Sequence, residues 1–441
     1  MKHFTKFLDS HFRKVILTLL CETFHKVLNI KKGLLRPKIT GFRHSFQPSA
    51  GTFKRLNMLK KYVMAPGPTP IPAEVLAEAS LPIIHHRTPQ FQAIFKAAND
   101  GLQLFFRTKN QVMTFASVGT GAMESAIANL TSPGEKILVA SSGHFGNRWA
   151  EIAKAYSVQA ELYESEWGHA IDVEEVRKRL KASPDVKIVF TTLNETSTGV
   201  LNDIQALTKI VHEAGAIIVV DAISGLGAAP FETDAWGVDV VLSGSQKGFM
   251  IPPGLAFVAI NQAGIEKNKA AKNPRFYFSY EKALKKLTEE KMPDTPWTPA
   301  ISLIIQLKKA LELIHQEGME AVWKRHAALA KATRAGVEAL GLKLFAPTAP
   351  SPALTSVITV DGVDSGLINK TFRDIYGISI AGGQGKQKGK IFRLGHLGYA
   401  DGSDIILEIA RLEMVLHKVG KKVALGSGVK AVEEILLAEN L

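Results

Sequence analysis

Between residues 100 and 260, short apolar runs rich in β-branched side chains alternate with stretches whose apolar residues recur at helical spacing. The runs at 136–140, 187–191, 217–221, 239–243 and 255–260 predict strands, and the stretches near 146–156, 172–181 and 203–213 predict helices. Strict alternation of this kind predicts an α/β architecture: a mainly parallel sheet covered by helices on both faces and joined by right-handed crossovers. A proline-rich break at 293–299 leads into a long amphipathic stretch from Ile301 through Ile314, interrupted at Gly318 and resumed to Leu340. Beyond Gly341 the pattern changes to strand (355–360), helix (365–375), strand (391–394) and helix (403–419), a smaller α+β unit with a core of its own. The expected organisation is an N-terminal extension (1–57), a Pro- and Gly-rich arm (58–75), a large domain (76–317) and a small C-terminal domain (318–441).

Charge changes this picture only at the N-terminus. The 441-residue chain carries a formal net charge of +13, yet residues 1–57 hold eight Lys and four Arg against Asp9 and Glu22, a net +10 that leaves +3 for the rest. A nearly neutral body lacks the basic face that nucleic acid requires, so no nucleic-acid partner is expected. The longest apolar run of the extension, Val15 to Cys21, is too short to span a bilayer and is followed by Glu22 rather than a small-residue cleavage site, so no membrane partner is expected either. The extension reads as a basic transit peptide poor in serine, as a disordered leader, or as the product of an upstream start with Met58 the true beginning. Cys21 is the only cysteine, so no intramolecular disulfide can form and the body has no cysteine nucleophile. That usage fits a reducing compartment: the cytoplasm, or an organelle matrix such as the mitochondrion if 1–57 is a transit peptide.

The candidate chemistry lies at strand ends. Ser243-Gly244-Ser245-Gln246-Lys247-Gly248 stands between an apolar run and a Pro252-Pro253-Gly254 turn, which places one amine among small residues at the end of a buried strand. Such a lysine can form a Schiff base with an aldehyde cofactor and points to pyridoxal 5'-phosphate. Asp221 closes the strand run 217–221, where open α/β sheets place their ligands; its carboxylate suits a pyridinium nitrogen, or, without Lys247, the cap of a following helix. Ser117-Val118-Gly119-Thr120-Gly121 follows the apolar run 112–116 and opens a helical pattern, a place for a phosphate at a helix N-terminus. It is not a Walker loop, because no Gly-Lys-Ser/Thr follows.

With these strings go Pro66-Gly67-Pro68-Thr69, His86-Arg87-Thr88-Pro89, Glu195-Thr196-Ser197-Thr198-Gly199-Val200 and Arg393-Leu394-Gly395. In this order they resemble the class V aminotransferases of pyridoxal-phosphate fold type I, most of all the alanine–glyoxylate and serine–glyoxylate (serine–pyruvate) enzymes, from about Met58 to the C-terminus. The resemblance implies that Lys247 forms the Schiff base and shuttles the α-proton, and that Asp221 pairs with the ring nitrogen. It implies that Gly119, Thr120 and Gln246 hold the phosphate, joined by Thr298 from the second subunit of a homodimer. Phe145 matches a ring stacked on the cofactor, Thr196 a hydroxyl donating to the ring oxygen, and Arg393 the guanidinium that reads the substrate carboxylate. Two positions depart from the pattern: Val118 stands where many relatives have serine, and Phe145 where some have tryptophan.

The expected function is transfer of the amino group of alanine or serine to glyoxylate or pyruvate. A desulfurase would need a loop cysteine that the body lacks. The alternative of another class is a non-transaminase subunit of a soluble hydrogenase-type redox complex, whose metal sites would have to lie on other chains, since clustered cysteine ligands are absent from this one.

Overall fold

The computed structural model describes residues 59–289 and 292–441; the readings of the extension 1–57 and of Met58 lie outside these residues. A seven-stranded sheet forms the centre, in the spatial order Val112–Phe115, Ala256–Ile260, Val240–Gly244, Ile217–Asp221, Ile188–Thr192, Lys136–Ser141 and Gln159–Glu164. The last five run parallel. The parallel order and the helical crossovers are those that the alternating pattern predicts. Every residue of Ile188–Thr192 and Val240–Gly244 is buried, as β-branched runs without polar alternation require when helices cover both faces.

Ala256–Ile260 departs from the parallel rule, pairing antiparallel with both of its neighbours. The chain therefore reverses after Val240–Gly244, and residues 245–255 form the loop of a hairpin at the carboxyl end of a central strand. Ser245 closes that loop: its N–H donates to the Leu255 carbonyl (3.0 Å), and its hydroxyl donates to the Pro252 carbonyl (2.8 Å) and accepts from the Leu255 N–H (3.1 Å). Lys247 is held in this reversal.

Several elements have no counterpart in the sequence reading, the short helices Gln262–Ala270 and Tyr280–Thr288 among them, and three bear on the architecture most. Gln159–Glu164 is the outermost strand, partly solvated, with no fully buried residue to betray it. Pro89–Phe106 is a helix capped by the Thr88 side chain with Pro89 in its first turn; it buries Phe91, Phe95, Leu102, Phe105 and Phe106. Ser427–Glu439 packs along Met319–Ala339 and Gly402–Lys418 through Val432 and Leu436.

The apolar side chains form two main clusters. The larger lies around the seven-stranded sheet; the smaller surrounds the sheet Leu354–Ile358, Ile391–Gly395 and Ala381–Gly382. Helix Met319–Ala339, which starts after the positive-φ Gly318, gives Met319 and Val322 to the first cluster and Leu329, Ala332 and Val337 to the second. The N-terminal arm also touches both. Tyr62–Val63 pairs in parallel with Ile378–Ser379 and Met64 joins the small cluster, whereas Val75 joins the large one. Among the described residues no helix is long and apolar enough to cross a membrane.

One carboxyl sits inside the small core. Glu408 is 1% exposed, neither of its oxygens has a hydrogen-bond partner, and burial, aided by Asp404 one turn earlier, pushes its pKa well above the usual range. A raised carboxyl pKa means that this group favours the fold fully below about pH 4.3, its value in the open chain, and loses that contribution as pH rises toward the folded value. Glu408→Gln is expected to raise the melting temperature by about 2–4 °C at alkaline pH and by less in mild acid. Thermal unfolding of both proteins across pH checks this, and a constant difference would remove the titration as its cause.

Candidate active site

The loops at the carboxyl ends of Ile217–Asp221 and Val240–Gly244 meet the N-termini of two helices, Gly119–Leu130 and His144–Ala155. Between them lies a cleft of about 490 Å³, counting the solvent at its mouth. Gly119, Thr120, Phe145, Thr196, Asp221, Gln246 and Lys247, all selected from sequence, line it together.

Lys247 projects from the hairpin loop, and its Nζ donates to the Pro66 carbonyl at 2.7 Å. Thr69 ties arm to loop: its hydroxyl donates to the Lys247 carbonyl and its N–H to the Gln246 carbonyl. The arm can come this close only because residue 67 is glycine. Its φ is +121°, and a Cβ there would stand 2.3 Å from the Lys247 amine. Burial lowers the Lys247 pKa to about 8, with repulsion from Arg393 adding and Asp221 opposing. Asp221 is raised to about 7, also chiefly by burial, against a hydrogen bond from the Ile223 N–H (2.8 Å) and with Glu195 adding. Among the described ion pairs none joins Lys247 to Asp221.

Helix Gly119–Leu130 begins without a side-chain cap, because Val118 has no oxygen to offer. Its first amides therefore lack the side-chain partner that a capping serine or threonine would supply. Gly119 is packed against Ile223, whose Cδ1 would lie 2.5 Å from a Cβ. Beside it the buried Gln246 Oε1 has no partner, and a half-turn of the amide would present an N–H there instead.

Glu195 organises the opposite wall. Its fully buried carboxylate accepts from the N–H groups of Phe145, Gly146 and Ser197 and from the Ser197 hydroxyl, which satisfies the start of helix His144–Ala155 and fixes Phe145. Thr196 shares a hydrogen bond with the Ser224 hydroxyl, which in turn accepts from Asn194. Arg393, on the strand Ile391–Gly395 of the small sheet, is 5% exposed. It donates to the Gly382 carbonyl through Nε and Nη2 and to the Thr196 carbonyl through Nη1, so three of its five N–H donors are engaged. Burial lowers its pKa to about 10.

Thr298 is not part of the cleft within one chain. It lines a separate hollow with Trp297, Tyr277 and Thr114. Conversely, Ser224, Ile223 and Arg148 line the cleft and were not selected from sequence, nor was Glu195 given a role. An acid directly after a strand end, before Thr-Ser-Thr-Gly, is the signal that could have singled out Glu195.

A buried amine, a buried carboxylate and an open helix N-terminus surround one cleft on a mainly parallel sheet, the arrangement expected of a pyridoxal-phosphate enzyme of fold type I. The family model described as aminotransferase class-V matches residues 62–392. The chain is 41% identical to the small subunit of a soluble hydrogenase from Synechococcus sp., covering 86% of this chain and 98% of that one. It is 36% identical to the serine–glyoxylate aminotransferase of Hyphomicrobium methylovorum, covering 85% and 94%. The crystal structure of pyridoxamine–pyruvate aminotransferase from Mesorhizobium loti superposes with a TM-score of 0.82 at 32% identity, covering 86% and 97%. The chain thus belongs to the class V aminotransferases and is a transaminase that uses pyridoxal phosphate.

With its pKa lowered to about 8, Lys247 is expected to become nucleophilic at a lower pH than an ordinary lysine, whose pKa is about 10.4. In the cofactor-free protein, the rate of acylation at Lys247, followed by peptide mass spectrometry, should show its midpoint near pH 8. A midpoint in the range of the surface lysines would show that the amine is solvated. Gly67→Ala is expected to displace the Lys247 side chain and cost about a hundredfold in kcat, read from steady-state rates of the cofactor-loaded enzyme.

Proposed function

We propose that this enzyme moves the amino group of a small amino acid, alanine or serine, to a small 2-oxo acid, glyoxylate or pyruvate, with Lys247 as the Schiff-base lysine. The observation that carries the reading is the buried pair Lys247 and Asp221, which share a cleft without an ion pair between them. The relatives named serine–glyoxylate and pyridoxamine–pyruvate transaminase favour small oxo acids.

The residues fit pyridoxal phosphate. The uncapped start of helix Gly119–Leu130 and the unpartnered Gln246 amide suit its phosphate, and the isolated Asp221 carboxylate suits a ring nitrogen in need of an anion. When bound, the cofactor supplies a conjugated ring that takes up the electron pair left at the substrate α-carbon.

The remaining work falls to the chain. Lys247 Nζ would take the proton from the substrate α-carbon and hand it to the cofactor; with a pKa lowered toward neutrality the amine can act as base and then as acid. Asp221 keeps the ring nitrogen protonated. Gly119, Thr120 and Gln246 hold the phosphate, Phe145 packs on the ring and the Thr196 hydroxyl donates to the ring oxygen. Arg393 has two N–H groups left, enough to grip an α-carboxylate by two parallel hydrogen bonds. Thr298 reaches the phosphate from a second copy of the chain, so the working form is a homodimer, and its place is the cytoplasm.

Two relatives bear the name of soluble hydrogenase subunits. A role as a partner in such a complex would not require amino-group transfer at Lys247. Titrating the purified protein with alanine, serine and glyoxylate separates the readings. The absorption of the aldehyde form is expected to give way to that of the amine form with one donor and to return with one acceptor. Lys247→Ala should still bind cofactor, without the covalent link, and turn over about 10²–10⁴-fold more slowly. A wild-type spectrum indifferent to every donor would favour the non-enzymatic role.

A further inference from the structure

Arg148 is the one cation lining the cleft that the proposed mechanism does not use. It lies in helix His144–Ala155, three residues after Phe145, a spacing that puts both side chains on one helix face. Its guanidinium carbon sits 4.7 Å from the centre of the Phe145 ring, and its Nη1 donates to the Thr120 hydroxyl at 3.1 Å. Thr120 is the second residue of helix Gly119–Leu130, whose N-terminus has no side-chain cap.

The described arginines divide by the company they keep: Arg275 and Arg393 donate to backbone carbonyls, and others pair with acids. Arg107, Arg177, Arg179 and Arg325 each meet a carboxylate. No ion pair of Arg148 with a carboxylate occurs among the described residues. It brings a positive charge, felt by the buried Asp221 carboxylate but not paired with it, to a helix end that already carries partial positive charge. Two like fields converging on one point favour an anion there, and among the described residues neither is paired with a carboxylate.

The hydrogen bond to Thr120 has a direction with consequences. A hydroxyl has one proton to give and two lone pairs to receive with. Because the guanidinium can only donate, it engages the oxygen of Thr120 and leaves the hydroxyl proton for another acceptor. The same bond withdraws electron density from the oxygen and makes that proton a better donor.

We propose that Arg148 is part of the cofactor site: it orients the Thr120 hydroxyl toward the phosphate, adds the charge that the uncapped Val118 position cannot, and supports Phe145 from the side opposite the ring it packs on. This rests on the reading of the cleft as the pyridoxal-phosphate site. Its main effect is therefore on binding the phosphate end, with the chemistry at Lys247 affected only through the cofactor's placement.

The test compares pyridoxal phosphate with pyridoxal, which has the same ring and aldehyde but no phosphate. The full-length chain freed of cofactor is titrated with each, following absorbance, for wild type, Arg148→Gln and Arg148→Lys. Arg148→Gln is expected to weaken pyridoxal phosphate about tenfold and pyridoxal by less than about twofold, with Arg148→Lys in between because charge is kept and the fork is lost. Inorganic phosphate should compete with pyridoxal phosphate for the wild type and compete more weakly for Arg148→Gln. Equal weakening of both aldehydes, or unchanged affinity for pyridoxal phosphate, would overturn the proposal. Should Arg148→Gln melt at a lower temperature than wild type, Arg148→Lys decides: it must bind pyridoxal phosphate more tightly than Arg148→Gln does, and failure to do so also overturns the proposal. A wild-type chain that takes up no pyridoxal phosphate at all would instead sink the cofactor site itself.

Discussion

An amine and a carboxylate share one buried cleft here without meeting. Had Lys247 and Asp221 paired, each would have satisfied the other, and the cleft would hold a neutral salt bridge with little need of anything else. Kept apart, both carry an electrostatic demand that the protein leaves unmet, visible as an acid raised to about 7 and an amine lowered to about 8. The separation comes from the sheet. Asp221 ends one central strand, Lys247 hangs from the hairpin that follows the next, and the Pro66 carbonyl draws the amine toward the arm.

The walls around that pair are built from helix starts, where backbone N–H groups are left over by the geometry of the helix itself. The two starts are used differently. Glu195 fills the one at His144–Ala155 from inside, which makes it rigid and fixes the position of Phe145. The start at Gly119–Leu130 has no such internal anion, so it remains able to take one from outside. One end is closed from inside and the other is left open, and the residues that decide between them are a buried glutamate and an exposed valine.

Much of this was legible in the chain because β-branched runs and glycine-rich turns are local signals. The five strand runs, the glycine-rich turn at 117–121, Asp221 and Lys247 all rest on residues adjacent in sequence. What escaped is relational. Nothing in 255–260 states that the strand returns antiparallel, because strand direction is set by the length and closure of the loop before it. Gln159–Glu164 lies at the sheet edge, where half-exposure permits the polar residues that hide a strand. Ser427–Glu439 buries only a narrow stripe and carries no side-chain N-cap to announce it. Arg148 and Ser224 reach the cleft from elements that looked purely structural, and Glu195 acts across about fifty positions of sequence on the helix that bears Phe145.

The arm from Tyr62 to Val75 has a further bearing on how the molecule becomes active. It is stitched to the small sheet at one end and to the large core at the other, and midway it offers the oxygen on which the Lys247 amine rests. A chain with only its larger half consolidated would possess Asp221 and Lys247 and still lack the rest for that amine. The pose of Lys247 is thereby tied to both halves through the same short strap.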